Sequence, residues 1–330
     1  MPDPISPLAE PATAAGSAVS ADVRKVRGRS ADPSRRNRRK RADLRTVAVL
    51  TLPFLVLFAA FYIAPILYAI WQSLFALRRS GAYRPAENVF VGLGNYAQVL
   101  TDPAFQQSLA NVGLYAIGPS TLTVLIGLLI ALVIDARANR LGAKLARAAV
   151  FAPYAVPAVI GATIWGFLYA PSTSPFVSAA QAVGWDVNPL AGPVVWQVGN
   201  IALWTYIGFN VLIFASGLAS IDPSMLESAR MDGASSLRIA WSIKLPLLRP
   251  SIVLSIVFNL IGTLQLFTEP MALRTLSNEI SSVWTPNMLA YSEAAANRYS
   301  FSAAVSTLLA VVTAVFSFAL LRAATRGAKS

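Results

Sequence analysis

Six stretches of mainly apolar residues, each long enough to cross a bilayer, constrain this chain more than anything else in it. They run over roughly 46–74, 107–135, 148–170, 193–218, 251–273 and 302–322, and a helix needs ~20 such residues to span the hydrocarbon. Charge is scarce: 13% of the 330 residues are Asp, Glu, Lys or Arg, where a soluble domain carries about 25%. The mean hydropathy of +0.57 points the same way. The predicted fold class is an all-α membrane protein with six transmembrane helices.

Six spans place both termini on one side of the membrane. With that side cytoplasmic, 22 of the 27 basic residues lie inside, leaving Arg78, Arg79, Arg84, Arg274 and Arg298 outside. The positive-inside bias therefore predicts cytoplasmic N- and C-termini. The division that follows is a disordered basic cytoplasmic tail over 1–45, a transmembrane domain over 46–323 and a short cytoplasmic tail over 324–330. Residues 1–34 are rich in Ala, Pro and Ser, a composition with too little apolar bulk to fold. The first apolar run follows this tail and exceeds the core of a cleavable leader, so it is expected to stay as an anchor. The net charge is +12, and much of it sits at Arg35–Arg41, just ahead of that run. Basic residues there read as a topogenic signal and a contact for anionic membrane lipid, not as a nucleic-acid site.

Composition also excludes chemistry. Cys and His are absent, which removes thiol nucleophiles, the commonest general base and the commonest metal ligand. Most carboxylates fall in loops or tails, and no Gly-x-x-x-x-Gly-Lys-Ser/Thr loop is present to hold a nucleotide. No catalytic or metal-ligating residue is predicted. The chain is expected to be no enzyme and to carry no cofactor of its own.

The polar elbow at 221–250, between spans 4 and 5, is unusually well specified for a loop. Asp222-Pro223 opens a helix with an acceptor at the N-cap and proline at the first position. Met225, Leu226 and Ala229 share one face, with Glu227 and Arg230 turned away. Gly233 closes the helix as a residue able to adopt positive φ. Ser235 or Ser236 caps a second short helix in which Leu237, Ala240 and Trp241 form an apolar face. Pro246 and Pro250 then break the path into the next span. Two short helices at an angle along the membrane surface result. Taken alone, they also fit a plain interfacial amphipathic hairpin.

The residue pattern favours a more specific reading. Glu227-Ser228-Ala229, Gly233 and Ile243-Lys244-Leu245-Pro246 resemble the Glu-Ala-Ala, Gly, Ile-x-Leu-Pro signature of importer-type ABC permeases, with Ser228 in place of Ala. Phe90-Val91-Gly92-Leu93-Gly94-Asn95-Tyr96 resembles the first external loop of the carbohydrate-uptake family, which includes the maltose and glycerol-phosphate systems. Gly208-Phe209-Asn210-Val211-Leu212-Ile213-Phe214 resembles that family's span before the elbow, and Leu245-Pro246-Leu247-Leu248-Arg249-Pro250 its exit. The first-loop motif suggests the member of the permease pair that usually comes first.

The resemblance implies a cell-membrane importer. In it, this chain pairs with a second permease, two copies of an ABC ATPase and an extracellular or periplasmic solute-binding protein. ATP and magnesium would be bound by the ATPase. The elbow would be the coupling loop, with Glu227, Ala229, Asp232, Gly233, Leu245 and Pro246 receiving the push of ATPase closure. The cargo implied is a sugar, oligosaccharide or polyol. The alternative is an ion-coupled secondary carrier of small polar solutes. It needs an ionisable group near mid-membrane, and the span assignment places none there.

Candidates for the solute path are polar and aromatic residues within spans. Tyr206 and Asn210 stand one turn apart in the fourth. Ser255, Asn259 and Gly262 follow one side of the fifth, with Phe258 beside them, and Ser255-x-x-Phe258-Asn259 also resembles the cavity-lining run of maltose-type permeases. The same residues fit interhelical packing. Thr263 and Gln265 lie off the stripe and are assigned to packing. A continuous fifth helix carries Glu269 about 27 Å beyond Ser251, to the outer rim, where it reads as a solvated carboxylate sooner than as a contact for solute or binding protein. Arg274-Thr275-Leu276-Ser277 replaces the Gly-Gly-Pro-containing loop common in the family. Asp135 is read as merely closing the second span.

Overall fold

The computed structural model describes residues 47, 49–78, 87–136, 140–277 and 279–327. The basic tail expected over 1–45 and residues 328–330 lie outside these. Helix α1 (Val49–Ser73) is apolar along its length. The chain divides at Ile66 and Leu67 into two compact units. In the first, Phe54, Phe58 and Tyr62 stack one turn apart along α1, with ring centroids 5.9 and 5.4 Å apart. Everything that follows belongs to the second.

Strands β1 (Phe75–Arg78) and β2 (Glu87–Phe90) pair antiparallel, Phe75 opposite Phe90 and Arg78 opposite Glu87. This short ladder is the one departure, among the described residues, from the helical fold expected. Helix α2 (Gly94–Thr101) follows. Asn95 Nδ2 donates to the Ser73 and Phe75 carbonyls at 2.6 and 2.8 Å, and the Tyr96 hydroxyl pairs with that of Ser73. The Phe90–Tyr96 motif thus has a local reason: its Asn and Tyr tie the hairpin to the end of the preceding helix.

Helix α3 (Pro103–Ala136) starts at Asp102, whose carboxylate accepts from the Ala104 and Phe105 amides. It widens to a π-helical turn at Ala116–Ser120, around Pro119, which has no N–H to offer the regular ladder. Helices α4 (Arg140–Phe151) and α5 (Ala158–Tyr169) meet at 95°. The single span expected over 148–170 is therefore broken. Val156 and Pro157 are extended, and proline also restricts the residue before it. The 12 residues of α5 cover about 18 Å at 1.5 Å each, less than the hydrocarbon thickness.

After α6 (Pro175–Ala182), helix α7 (Val194–Ala219) is buried at intervals from Gln197 to Leu218. A Cβ on Gly208 would run into the Val150 carbonyl and the Phe151 Cα, so glycine is what lets the end of α4 lie against α7. The elbow forms α8 (Pro223–Met231) and α9 (Ser236–Leu247), and α9 bends by 67° into α10 (Arg249–Leu264). The chain then breaks at Gln265–Phe267 before α11 (Thr268–Leu273). The straight helix expected over 251–273 is corrected here too. Helices α12 (Pro286–Ala295) and α13 (Tyr299–Gly327) complete the described fold.

Among the described residues, four helices are long and apolar enough to cross a membrane, or up to six if each bent pair is one span. Three buried clusters join the helices. One contains Tyr115, Ile201, Leu266 and Met288, a second Val124, Phe214, Ile221 and Leu248, and a third Val99, Phe105, Leu289 and Val305. The second matters most for function, because it joins α3 and α7 to both ends of the elbow.

Candidate functional site

The elbow owes its shape to local rules. The Asp222 side chain accepts from the Ser224 amide at 2.9 Å, and that bond holds its carboxyl below the usual carboxylate range. At the other end of α8 the Gly233 amide donates to the Arg230 carbonyl, and the Ala234 amide to that of Ala229. This is the 5→2 and 6→1 pair of a Schellman motif, and Gly233 supplies its left-handed residue with φ +79°. Ser235 then caps α9 by accepting from the Arg238 amide. The angle between the two short helices is therefore set by caps at each end.

Glu227, Asp232, Gly233 and Pro246 are exposed, and Ala229 and Leu245 half-buried. Leu226 and Ala229 form the inner face of α8. Met225, expected beside them, points outward, as does Met231. Two residues outside the motif's fixed positions anchor the elbow from beneath. Leu248, fully buried, joins the Phe214 and Val124 cluster. Lys244, also buried, makes a 2.5 Å ion pair with Asp135 at the end of α3. Asp135 is thus more than a helix end, and the variable position of Ile-x-Leu-Pro is the one that reaches it.

A cavity of about 430 Å³ opens between α3, α7 and α10, within the ~300–1,000 Å³ typical of small-molecule sites. Tyr206, Asn210, Phe258, Asn259 and Gly262 all line it. Ser255 does not: it is fully buried and donates to Asn210 Oδ1. Asn210 is likewise fully buried, its Oδ1 accepting from Asn259 Nδ2 at 2.8 Å while its own amide donates to the Tyr206 carbonyl at 3.1 Å. Asn210 and Ser255 therefore join α7 to α10, and Asn259, half-buried, faces both ways. One wall is aromatic. Tyr154 stacks on Phe209 with centroids 5.3 Å apart, and Phe209 meets Phe258 edge-on at 5.7 Å.

Residues 123–327, more than half of the chain, match the model of the binding-protein-dependent transport system inner membrane component family. The chain belongs to that family. It is 28% identical to the trehalose transport system permease protein SugA of Mycobacterium tuberculosis, over 85% of this chain and 89% of that one. It is 31% identical to the sn-glycerol-3-phosphate transport system permease protein UgpA of Agrobacterium fabrum, over 64% and 71% of the two chains. In fold it is similar to a chain of a bacterial ABC transporter involved in import of the acidic polysaccharide alginate. That match has a TM-score of 0.72 and 22% identity, and covers 88% of this chain and 99% of the other.

The permease's cavity contains residues that periodicity missed. Thr263 and Gln265, assigned to packing, both line it, though Thr263 also donates to the Ser120 hydroxyl at 3.2 Å. Tyr115 and Phe209 line it as well, and neither lies on the polar stripes of the fourth and fifth spans. The largest correction concerns Glu269. It is no solvated rim carboxylate: it is buried, lines the cavity and accepts a 2.9 Å hydrogen bond from the Tyr206 hydroxyl. The break after Leu264 turns it inward. Gln265, Thr268, Glu269 and Pro270 were the available signal, since together they end the apolar run.

Proposed function

We propose that this permease is the membrane-embedded half-channel of an ATP-driven carbohydrate importer, with six spans, both termini cytoplasmic and a location in the cell membrane. Each bent helix pair contributes one span, with α9 remaining part of the cytoplasmic elbow that leads into α10. A second permease would complete the cavity, two ATPase subunits would bind ATP and magnesium, and an external binding protein would deliver a sugar, oligosaccharide or polyol. Glu227, Asp232 and Gly233 form the exposed ATPase-facing part of the elbow. Ala229 and Leu245 shape its inner side, and Pro246 is exposed where the elbow turns toward the next span. Tyr206, Phe258, Asn259 and Gly262 serve as the solute path, and Asn210 and Ser255 hold that path's two helices together.

One observation carries this reading. The elbow is anchored, through Leu248 and the Lys244–Asp135 pair, to α3, α7 and α10, and those same helices supply the cavity wall. A push on α8 is thereby delivered to the residues around the solute. The carbohydrate assignment draws on the relatives, among them the trehalose/maltose permease MalF of Thermococcus litoralis, 28% identical over 83% of this chain, and on the amide, hydroxyl and aromatic lining.

Gly233→Arg tests the coupling role. A non-glycine residue at φ +79° costs about 1–2 kcal/mol, and the long side chain obstructs docking. Uptake and ATPase association should fail while membrane insertion persists; normal ATP-driven uptake by this variant would sink the proposal. Glu269 is the single feature that favours an ion-coupled carrier, because it supplies a buried carboxylate. A carrier has no use for a capped elbow, and uptake by the intact complex on a proton gradient without ATP would decide for it.

A further inference from the structure

We propose that Glu269 makes this chain's wall of the cavity a filter against anionic cargo, so that the solute is a neutral, hydroxyl-rich saccharide; the inference rests on the carbohydrate reading above. Glu269 is the only Asp, Glu, Lys or Arg among the residues lining the cavity. Neither the Lys244–Asp135 nor the Arg298–Glu293 ion pair brings a cation to it. A buried carboxylate within the membrane is costly to keep. Here it is held by the Tyr206 hydroxyl, which spends its proton on Oε1.

The chemistry of such a wall is one-sided. An ionised carboxylate only accepts hydrogen bonds, and a sugar hydroxyl has a proton to give it. A phosphate or uronate on the cargo would bring a like charge into a low-dielectric site, where repulsion is several-fold stronger than in water. Sites that hold such anions place Arg or Lys against them, and none lines this cavity. Asn259, Gln265 and Thr268 add uncharged donors and acceptors, and Phe258 offers an apolar ring face.

The test measures binding to the purified importer complex in the absence of its binding protein, so that the cavity alone selects. Neutral probes are trehalose, maltose and maltotriose; anionic probes are di- and trisaccharides of glucuronic acid and sn-glycerol 3-phosphate. The wild-type complex should bind at least one neutral probe and exclude the anionic ones. Glu269→Gln keeps the shape and a Tyr206 acceptor but removes the charge. It should raise anionic-probe binding, measured relative to the neutral probes, by at least about tenfold, the factor that ~1.4 kcal/mol represents. Tyr206→Phe, which keeps the carboxylate, should leave the exclusion in place.

An unchanged neutral-to-anionic ratio in Glu269→Gln overturns the inference and leaves the carbohydrate reading standing. Binding of the anionic probes by the wild-type complex does the same, as would happen where the second permease sets a cation opposite Glu269. Loss of exclusion in Tyr206→Phe alone also overturns it, since shape would then be the cause. A complex that binds none of the saccharides overturns the inference together with the carbohydrate reading.

Discussion

Asn210 and Asn259 are the same residue type on facing helices, and burial alone separates their roles. Asn210 is fully buried and accepts from both Ser255 and Asn259. Asn210→Ala strands the Ser255 hydroxyl, while Asn259 Nδ2 keeps the Ser255 carbonyl; at about 1–3 kcal/mol for the lost acceptor, it should lower the thermal midpoint of the purified complex. Asn259→Ala leaves Asn210 paired with Ser255, so stability should hold while sugar affinity falls by up to about tenfold, the worth of one net hydrogen bond. Equal losses of stability in the two variants would return Asn259 to packing. Residue type and spacing made both of them candidates. Both border the cavity, but which one is fully buried between α7 and α10 and which one keeps accessible surface is a matter of how far the two helices interpenetrate, and no periodicity encodes that.

At the scale of elements, the elbow acts as a unit because it is tied down at several places. The Schellman turn sets the angle of α8 to α9, Leu248 sits in the α3–α7 cluster, and Lys244 reaches Asp135. Removing one partner of a buried pair costs about 3–5 kcal/mol. Asp135 keeps 27% of its side chain exposed, so Lys244→Met should cost less, about 1–3 kcal/mol. Its larger consequence should be functional: ATPase turnover that no longer responds to loaded binding protein. Replacing both partners, with Asp135→Leu and Lys244→Met, should recover stability because no charge is left stranded. A double-mutant cycle on thermal midpoints reads this, and strict additivity of the two substitutions would show that the pair does not couple the elbow to α3. The capped ends of the elbow were legible residue by residue, since an N-cap or a positive-φ glycine is decided within a few positions. The ion pair was not, because its partners lie 109 residues apart.

For the whole molecule, hydropathy located the long apolar helices, with the ends of α1, α3, α7 and α13 falling within a few residues of expectation. It did not reveal that the third and fifth apolar stretches are broken, since a window average ignores direction and a proline or polar turn inside an apolar run barely lowers it. The absence of cysteine makes the proposed topology directly testable. Met231→Cys, at a site 89% exposed on the elbow, should react with an impermeant maleimide only from the cytoplasmic side. Trp185→Cys, at a site 70% exposed between α6 and α7, should react only from outside. Labelling of both from one side would refute the six-span arrangement.

The sequence by itself determined the membrane class, the predicted sidedness, the shape of the elbow and the absence of a nucleotide loop. Each of these follows from composition or from rules acting over a few residues. The tertiary structure alone decided where helices break and which polar groups meet. Glu269 shows the difference, because a straight helix carries it to the rim and a three-residue break returns it to the Tyr206 hydroxyl, 63 residues away in the chain. Burial of a charge depends on neighbours brought together by packing, and a linear pattern carries no record of them.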